Sequence, residues 1–187
     1  GGWFWWGNKQ CTPEEYNELY RMTVRYLRDV KRVHNILYAF SPAGITTEAE
    51  FLSRYPGDEW VDIVGFDCYY YNDKRPASLA NYQNTMKSGL KVVTDYARRM
   101  NKIPIMAETG YESIPEPDYF TRILLPAIES YDFSYILLWR NSNSKSMRNH
   151  FYVPFVGHPA ADDFKKFTES PKILLNKEIS PMYILTK

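Results

Sequence analysis

Apolar and polar positions fall in blocks along this chain, and the blocks predict helices and strands in strict alternation. Tyr16, Leu19, Tyr20, Thr23, Val24, Leu27 and Val30 recur at helical spacing, with Arg and Lys between them. Thr12 suits the N-cap, Pro13 the first helical position and Glu15 the return of a capping box. A helix of about 20 residues ending near His34 is therefore predicted. The run 36–40 is apolar, stops at Ser41-Pro42, and reads as a buried strand. A short helix is predicted over 46–55. The stretch 61–71 is rich in β-branched and aromatic residues and reads as a second strand. A long amphipathic helix follows over 77–101, then a third strand over 103–107. Next comes a helix over 118–131 that Pro126 should bend. A fourth strand spans 135–139, a long loop follows, and 160–167 begins the last helix.

Strands that alternate with helices imply a parallel sheet. Three of the four predicted strands end in polar or aromatic residues: Asp67 to Tyr71, Glu108, and Trp139 to Asn141. In a (β/α)8 barrel the C-terminal ends of the strands carry the active site. An open doubly wound sheet would favour a glycine-rich phosphate loop after its first strand. No GxGxxG or GxxxxGK occurs, so the α/β pattern favours the TIM barrel. A full barrel has eight strands, and four cannot close. The chain is thus expected to be roughly the C-terminal half, strands five to eight with their helices. Residues 1–187 are expected to form one contiguous part of a single domain, with the N-terminal half of the barrel outside them. The start at Gly1 without Met or signal sequence likewise reads as a processed or truncated piece.

Composition narrows the partners. The formal net charge is +1, which gives no electrostatic case for nucleic acid. No apolar run approaches the roughly 18–20 residues of a membrane span. The two cysteines, Cys11 and Cys68, are expected to be unpaired buried thiols. The three histidines have no zinc spacing, so no metal is expected. Aromatics make up 17% of the residues, with three of the five Trp inside the first six positions. Rings stack on sugar faces, and they also fill cores; composition alone weighs the two equally.

The candidate chemistry centres on Ile105-Met106-Ala107-Glu108-Thr109-Gly110. A carboxylate directly after an apolar strand sits where a barrel opens to substrate, and such carboxylates serve as nucleophiles or acids in glycoside hydrolysis. A strand-end Glu that caps its loop or pairs with Arg fits as well. Asp67 and Tyr69 share one strand face. From there Tyr69 can donate a hydrogen bond to a neighbouring carboxylate, or simply pack. Trp139 can floor a sugar subsite or belong to the core.

Six stretches together resemble glycoside hydrolase family 26, the β-mannanase type. They are GGWFWWG up to Gly7, YAFSPAG from Tyr38, GFDCYYY from Gly65, AETG from Ala107, LLWRN from Leu137 and NHFYVPFVGHPAADDF from Asn149. The resemblance covers nearly the whole chain in the family's order. It implies a (β/α)8 barrel and retaining hydrolysis of β-1,4-mannosidic linkages in mannan, with no cofactor. It matches Glu108 to the nucleophile and Tyr69 to the tyrosine bonded to it. Trp139 matches the stacking tryptophan at the cleaved sugar, and Trp3 an aromatic just downstream of the acid/base. Asp67 matches a structural or substrate-orienting position. The acid/base Glu would fall before residue 1, so the chain alone is expected to be inactive. β-Xylan or mixed-linkage β-glucan are alternative substrates within the family. A non-catalytic carbohydrate-binding protein is the alternative class. The resemblance also implies a secreted, periplasmic or cell-surface protein.

Overall fold

The computed structural model describes residues 4–71, 78–175 and 178–179. Contacts divide the chain into two compact units. One comprises Gly1–Tyr111 with Tyr131–Trp139, and the other Glu112–Ser130 with Arg140–Lys187.

The first unit begins with helix α1, Pro13–Arg25. The Thr12 hydroxyl accepts from the Glu15 N–H, and the Glu15 carboxylate accepts from the Thr12 N–H, so the capping box predicted from sequence is present. A π-helical turn, Tyr26–Val30, ends the element short of His34. There the Val33 N–H bonds back to Leu27 and Arg32 takes φ +57°, which breaks the helical repeat. Strand β1 is Ala39–Phe40, shorter than predicted. Ahead of it, the Tyr38 N–H donates to the Asp62 side chain and not to a neighbouring strand. Helix α2, Glu48–Leu52, carries its own capping box between Thr47 and Glu50.

The second predicted strand divides into β2, Ile63–Val64, and β3, Asp67–Tyr69. The long helix α3 spans Ser78–Met100. The third predicted strand divides into β4, Ile103–Pro104, and β5, Met106–Gly110. Strand β6 is Ile136–Leu138. All pairings are parallel: β1 with β2 with β4, and β3 with β5 with β6. Backbone bonds bridge the breaks, from Gly65 to Phe40, Ile105 to Val64 and Ala107 to Phe66. The strands therefore stand side by side in chain order, each successor on the same side. A doubly wound sheet reverses direction at a switch point; steady progression is what a (β/α)8 barrel requires.

The core lies between this sheet and α3. Phe66, Met86, Leu90, Val93 and Met106 are fully buried. Gly89 lets the helix approach so closely that an added Cβ would stand 2.4 Å from the Phe66 ring. A second cluster packs Phe40, Phe51, Tyr55 and Tyr96 with centroids 5.2–5.4 Å apart.

The second unit opens its helical stretch with a π-helix, Tyr119–Leu124, and continues as α4, Leu125–Ile128. The sequence predicts one bent helix here. Pro126 lacks an N–H and crowds the preceding turn, and the widened turn ahead of it absorbs the misfit. The Asp163 carboxylate accepts from the Phe120 and Thr121 N–H groups and from the Thr121 hydroxyl, fixing this stretch to α5, Ala161–Thr168.

Candidate active site

On strand β5 Met106 and Thr109 are buried, whereas Ala107 and Glu108 between them are only partly covered. Alternation on β3 leaves Asp67 and Tyr69 partly covered and buries Cys68 between them. The register sets Asp67 beside Glu108, Cys68 beside Thr109 and Tyr69 beside Gly110. Parallel partners share a face, so Asp67, Tyr69 and Glu108 project together at the C-terminal ends of their strands. Gly110 offers no side chain opposite Tyr69. The phenol reaches Glu108 and donates to its Oε2 at 2.8 Å. Of the two roles the sequence allowed Tyr69, the structure displays the hydrogen bond.

Asp67 is held from the other side, where the Ser41 hydroxyl donates to its Oδ1 at 2.8 Å. Burial pushes the Asp67 carboxyl up to about 6; the bond from Ser41 works against the rise, and the Glu108 charge adds to it. Ser41 is a residue the sequence reasoning passed over. Its signal was its position at the end of the first predicted strand, within the YAFSPAG stretch.

Trp139 directly follows β6, and its N–H donates to the Thr109 carbonyl at 3.0 Å. Its backbone is thereby fixed against the residue after Glu108. Trp3 lies outside the described residues. Of its neighbours, Phe4 and Trp6 stack at 4.5 Å, and Trp5 meets Trp6 edge-on at 5.2 Å.

Both cysteines are free. Burial pushes the Cys68 thiol up to about 12, with the Asp67 charge adding to the rise, as suits a packing residue. Cys11 departs from expectation. It is only half buried, with its sulfur directed at the Trp6 carbonyl and Arg54 bonded to its own carbonyl. In the second unit, Glu112 meets His150 Nδ1 at 2.6 Å, and Arg140 donates to the other ring nitrogen at 3.3 Å.

A parallel sheet built in barrel order, with a tyrosine-bonded carboxylate at the strand ends, defines a piece of a (β/α)8 hydrolase-type barrel. The model of the family "Glycosyl hydrolase family 26" matches residues 1–123, and the chain belongs to that family. A β-mannanase of the family from Bacteroides ovatus superposes with a TM-score of 0.89 at 40% identity, covering 99% of this chain and 52% of that one. An endo-β-1,4-mannanase from Cellulomonas fimi superposes with a TM-score of 0.81 at 32% identity, covering 96% and 40%. A mannan endo-1,4-β-mannosidase of Bifidobacterium adolescentis is 36% identical over 94% of this chain and 19% of its own length. The chain thus spans about half the Bacteroides structure and a smaller share of the curated relatives. The sequence expectation of family 26, and of about half a (β/α)8 barrel, is met.

Proposed function

We propose that the protein carrying this chain is a retaining glycoside hydrolase acting on β-1,4-mannosidic linkages in mannan, with Glu108 as its nucleophile. The observation that carries the reading is the Tyr69–Glu108 hydrogen bond at the strand ends of a family 26 chain. Glu108 attacks the anomeric carbon and forms a glycosyl ester, while the bond to the departing oxygen breaks. The second carboxyl group of a retaining enzyme stands about 5–5.5 Å from the first, protonates the leaving oxygen and later deprotonates water. That group comes from the first half of the barrel, outside residues 1–187. Asp67 orients a sugar hydroxyl beside the nucleophile. Trp139 stacks under the cleaved sugar, and Trp3 extends the aromatic floor. The chemistry needs no metal or organic cofactor, because carboxyl groups carry both roles. A polymeric substrate places the enzyme outside the cell, secreted, periplasmic or surface-attached. The chain forms part of one catalytic domain.

The test is a Glu108→Ala variant of the complete catalytic domain. Turnover of mannan should fall by roughly 10⁴-fold, while mannan-oligosaccharide binding measured by calorimetry persists. Substantial residual hydrolysis would sink the assignment. A product profile over mannan, β-1,3-xylan and mixed-linkage β-glucan checks the substrate: dominant release from either of the latter two would move the enzyme to another member specificity of its family. Binding of mannan with no hydrolysis of any of the three by the unmutated domain would favour a carbohydrate-binding protein.

A further inference from the structure

Behind Glu108, on the face of the sheet turned to α3, lies a chain of buried hydroxyls. Thr109 is fully buried, and Tyr82 of α3 is 4% exposed. The Thr109 hydroxyl donates its one proton to the Cys68 carbonyl at 2.7 Å. The 3.0 Å contact between Tyr82 Oη and Thr109 Oγ1 therefore has Tyr82 as donor. The Tyr82 ring is itself seated against Tyr70, with centroids 5.2 Å apart. The chain thus runs from α3 through β5 to the backbone of β3.

Its two anchor points are telling. Thr109 is the residue after Glu108, Cys68 is the residue before Tyr69, and the two are register partners. The Tyr69–Glu108 bond on the open face is thus matched, one residue along, by a side-chain bond on the buried face. On its other side β5 is held less regularly. The ladder to β6 shifts register between Met106 and Thr109, so Ala107 and Glu108 sit in a bulge. Bulges leave residues unpaired and aim side chains near active sites.

We propose that Tyr82, acting through Thr109, is a positioning residue that fixes the aim of Glu108 and its bond to Tyr69. The proposal rests on the reading of Glu108 as nucleophile. Tyr82 touches neither substrate nor reacting atoms; it sets where the backbone on either side of the carboxylate stands. Attack on the anomeric carbon is sensitive to displacements of about 1 Å, which can cost on the order of a hundredfold in rate. Substrate binding, spread over many subsites, is far less sensitive.

The experiment uses the complete catalytic domain and a 2-deoxy-2-fluoro mannobiosyl donor with a dinitrophenolate leaving group. In the step observed, the Glu108 carboxylate oxygen bonds to the anomeric carbon and dinitrophenolate departs with the electron pair. This leaving group needs no acid, and the fluorine slows hydrolysis of the ester. The rate of labelling therefore reports on the nucleophile, and the final stoichiometry counts the correctly folded molecules. Tyr82→Phe and Thr109→Val should each lower the labelling rate and kcat about tenfold or more per folded molecule, with KM changed less than about twofold. Thr109→Ser, which keeps the hydroxyl, should restore most of the rate. The double variant should be no slower than Thr109→Val alone, because Tyr82 acts through Thr109. Labelling of Tyr82→Phe at the unmutated rate would overturn the proposal, as would a Thr109→Ser enzyme as slow as Thr109→Val. If the label in the unmutated enzyme lands on a residue other than Glu108, the nucleophile reading fails instead.

Discussion

Asp67 and Glu108 stand side by side on neighbouring strands, yet each is tied to a different group. Glu108 receives the phenol of Tyr69, a donor aligned with a charged acceptor. Asp67 has the Ser41 hydroxyl, and burial drives its carboxyl up to about 6 from the ordinary 3.8. The sign of the consequence follows from linkage. Between 3.8 and about 6 the unfolded chain has released this proton and the folded chain still holds it. Stability therefore falls as pH rises through that window and is level with respect to Asp67 on either side. An Asp67→Asn variant should lose this slope. Urea denaturation at a series of pH values from about 3.5 to 7 checks it, and an unchanged slope would show that Asp67 does not titrate so. At this scale the sequence was informative where a residue type and its place on a strand coincide. Asp67 and Tyr69 were legible from alternation, and Glu108 as a carboxylate directly after an apolar run. The bonds of Ser41, Thr109 and Tyr82 were not, because a hydroxyl bond across 26 or 27 residues leaves no local pattern.

The elements show which signals reach the fold intact. The helix start marked by Thr12, Pro13 and Glu15 appears where predicted, because a capping box satisfies the first backbone donors within four residues of chain. Thr12→Ala should cost about 1 kcal/mol, seen as a lower urea midpoint with an unchanged slope; no shift would mean that water caps α1 equally well. Strand lengths were read less well. An apolar run records burial, whereas a strand ends where its neighbour's ladder ends. The 61–71 and 103–107 runs each divide because one half pairs toward β1 and the other toward β6. The 118–131 stretch was rightly expected to be disturbed at Pro126. The start of the resulting π-helix is tied down by Asp163 of a distant helix. No spacing within the stretch could announce that partner.

At the scale of the whole chain, barrel order was legible because alternation of strand and helix is a global pattern, and the absence of a phosphate loop removed its rival. The family was legible because six weak stretches occur in one order. Among the described residues of the first unit, neither β1 nor β6 pairs with a further strand. Ile36 and Leu37 ahead of β1 are 39% and 62% exposed, and Tyr135 and Leu137 at β6 are 48% and 39% exposed. Open edges with apolar side chains invite association. The 187-residue chain alone should bind the dye ANS and release no reducing sugar from mannan. The complete catalytic domain should reverse both observations. Hydrolysis by the 187-residue chain alone would mean that the acid lies within it.

The contact between Gly89 and Phe66 has a consequence for inheritance. An added methyl at position 89 would meet the Phe66 ring at 2.4 Å, so position 89 cannot gain a side chain while Phe66 stands. A lineage that gains a side chain on the helix must first, or at once, lose bulk on the strand. Homologues with alanine or serine at 89 should therefore carry a smaller residue at 66.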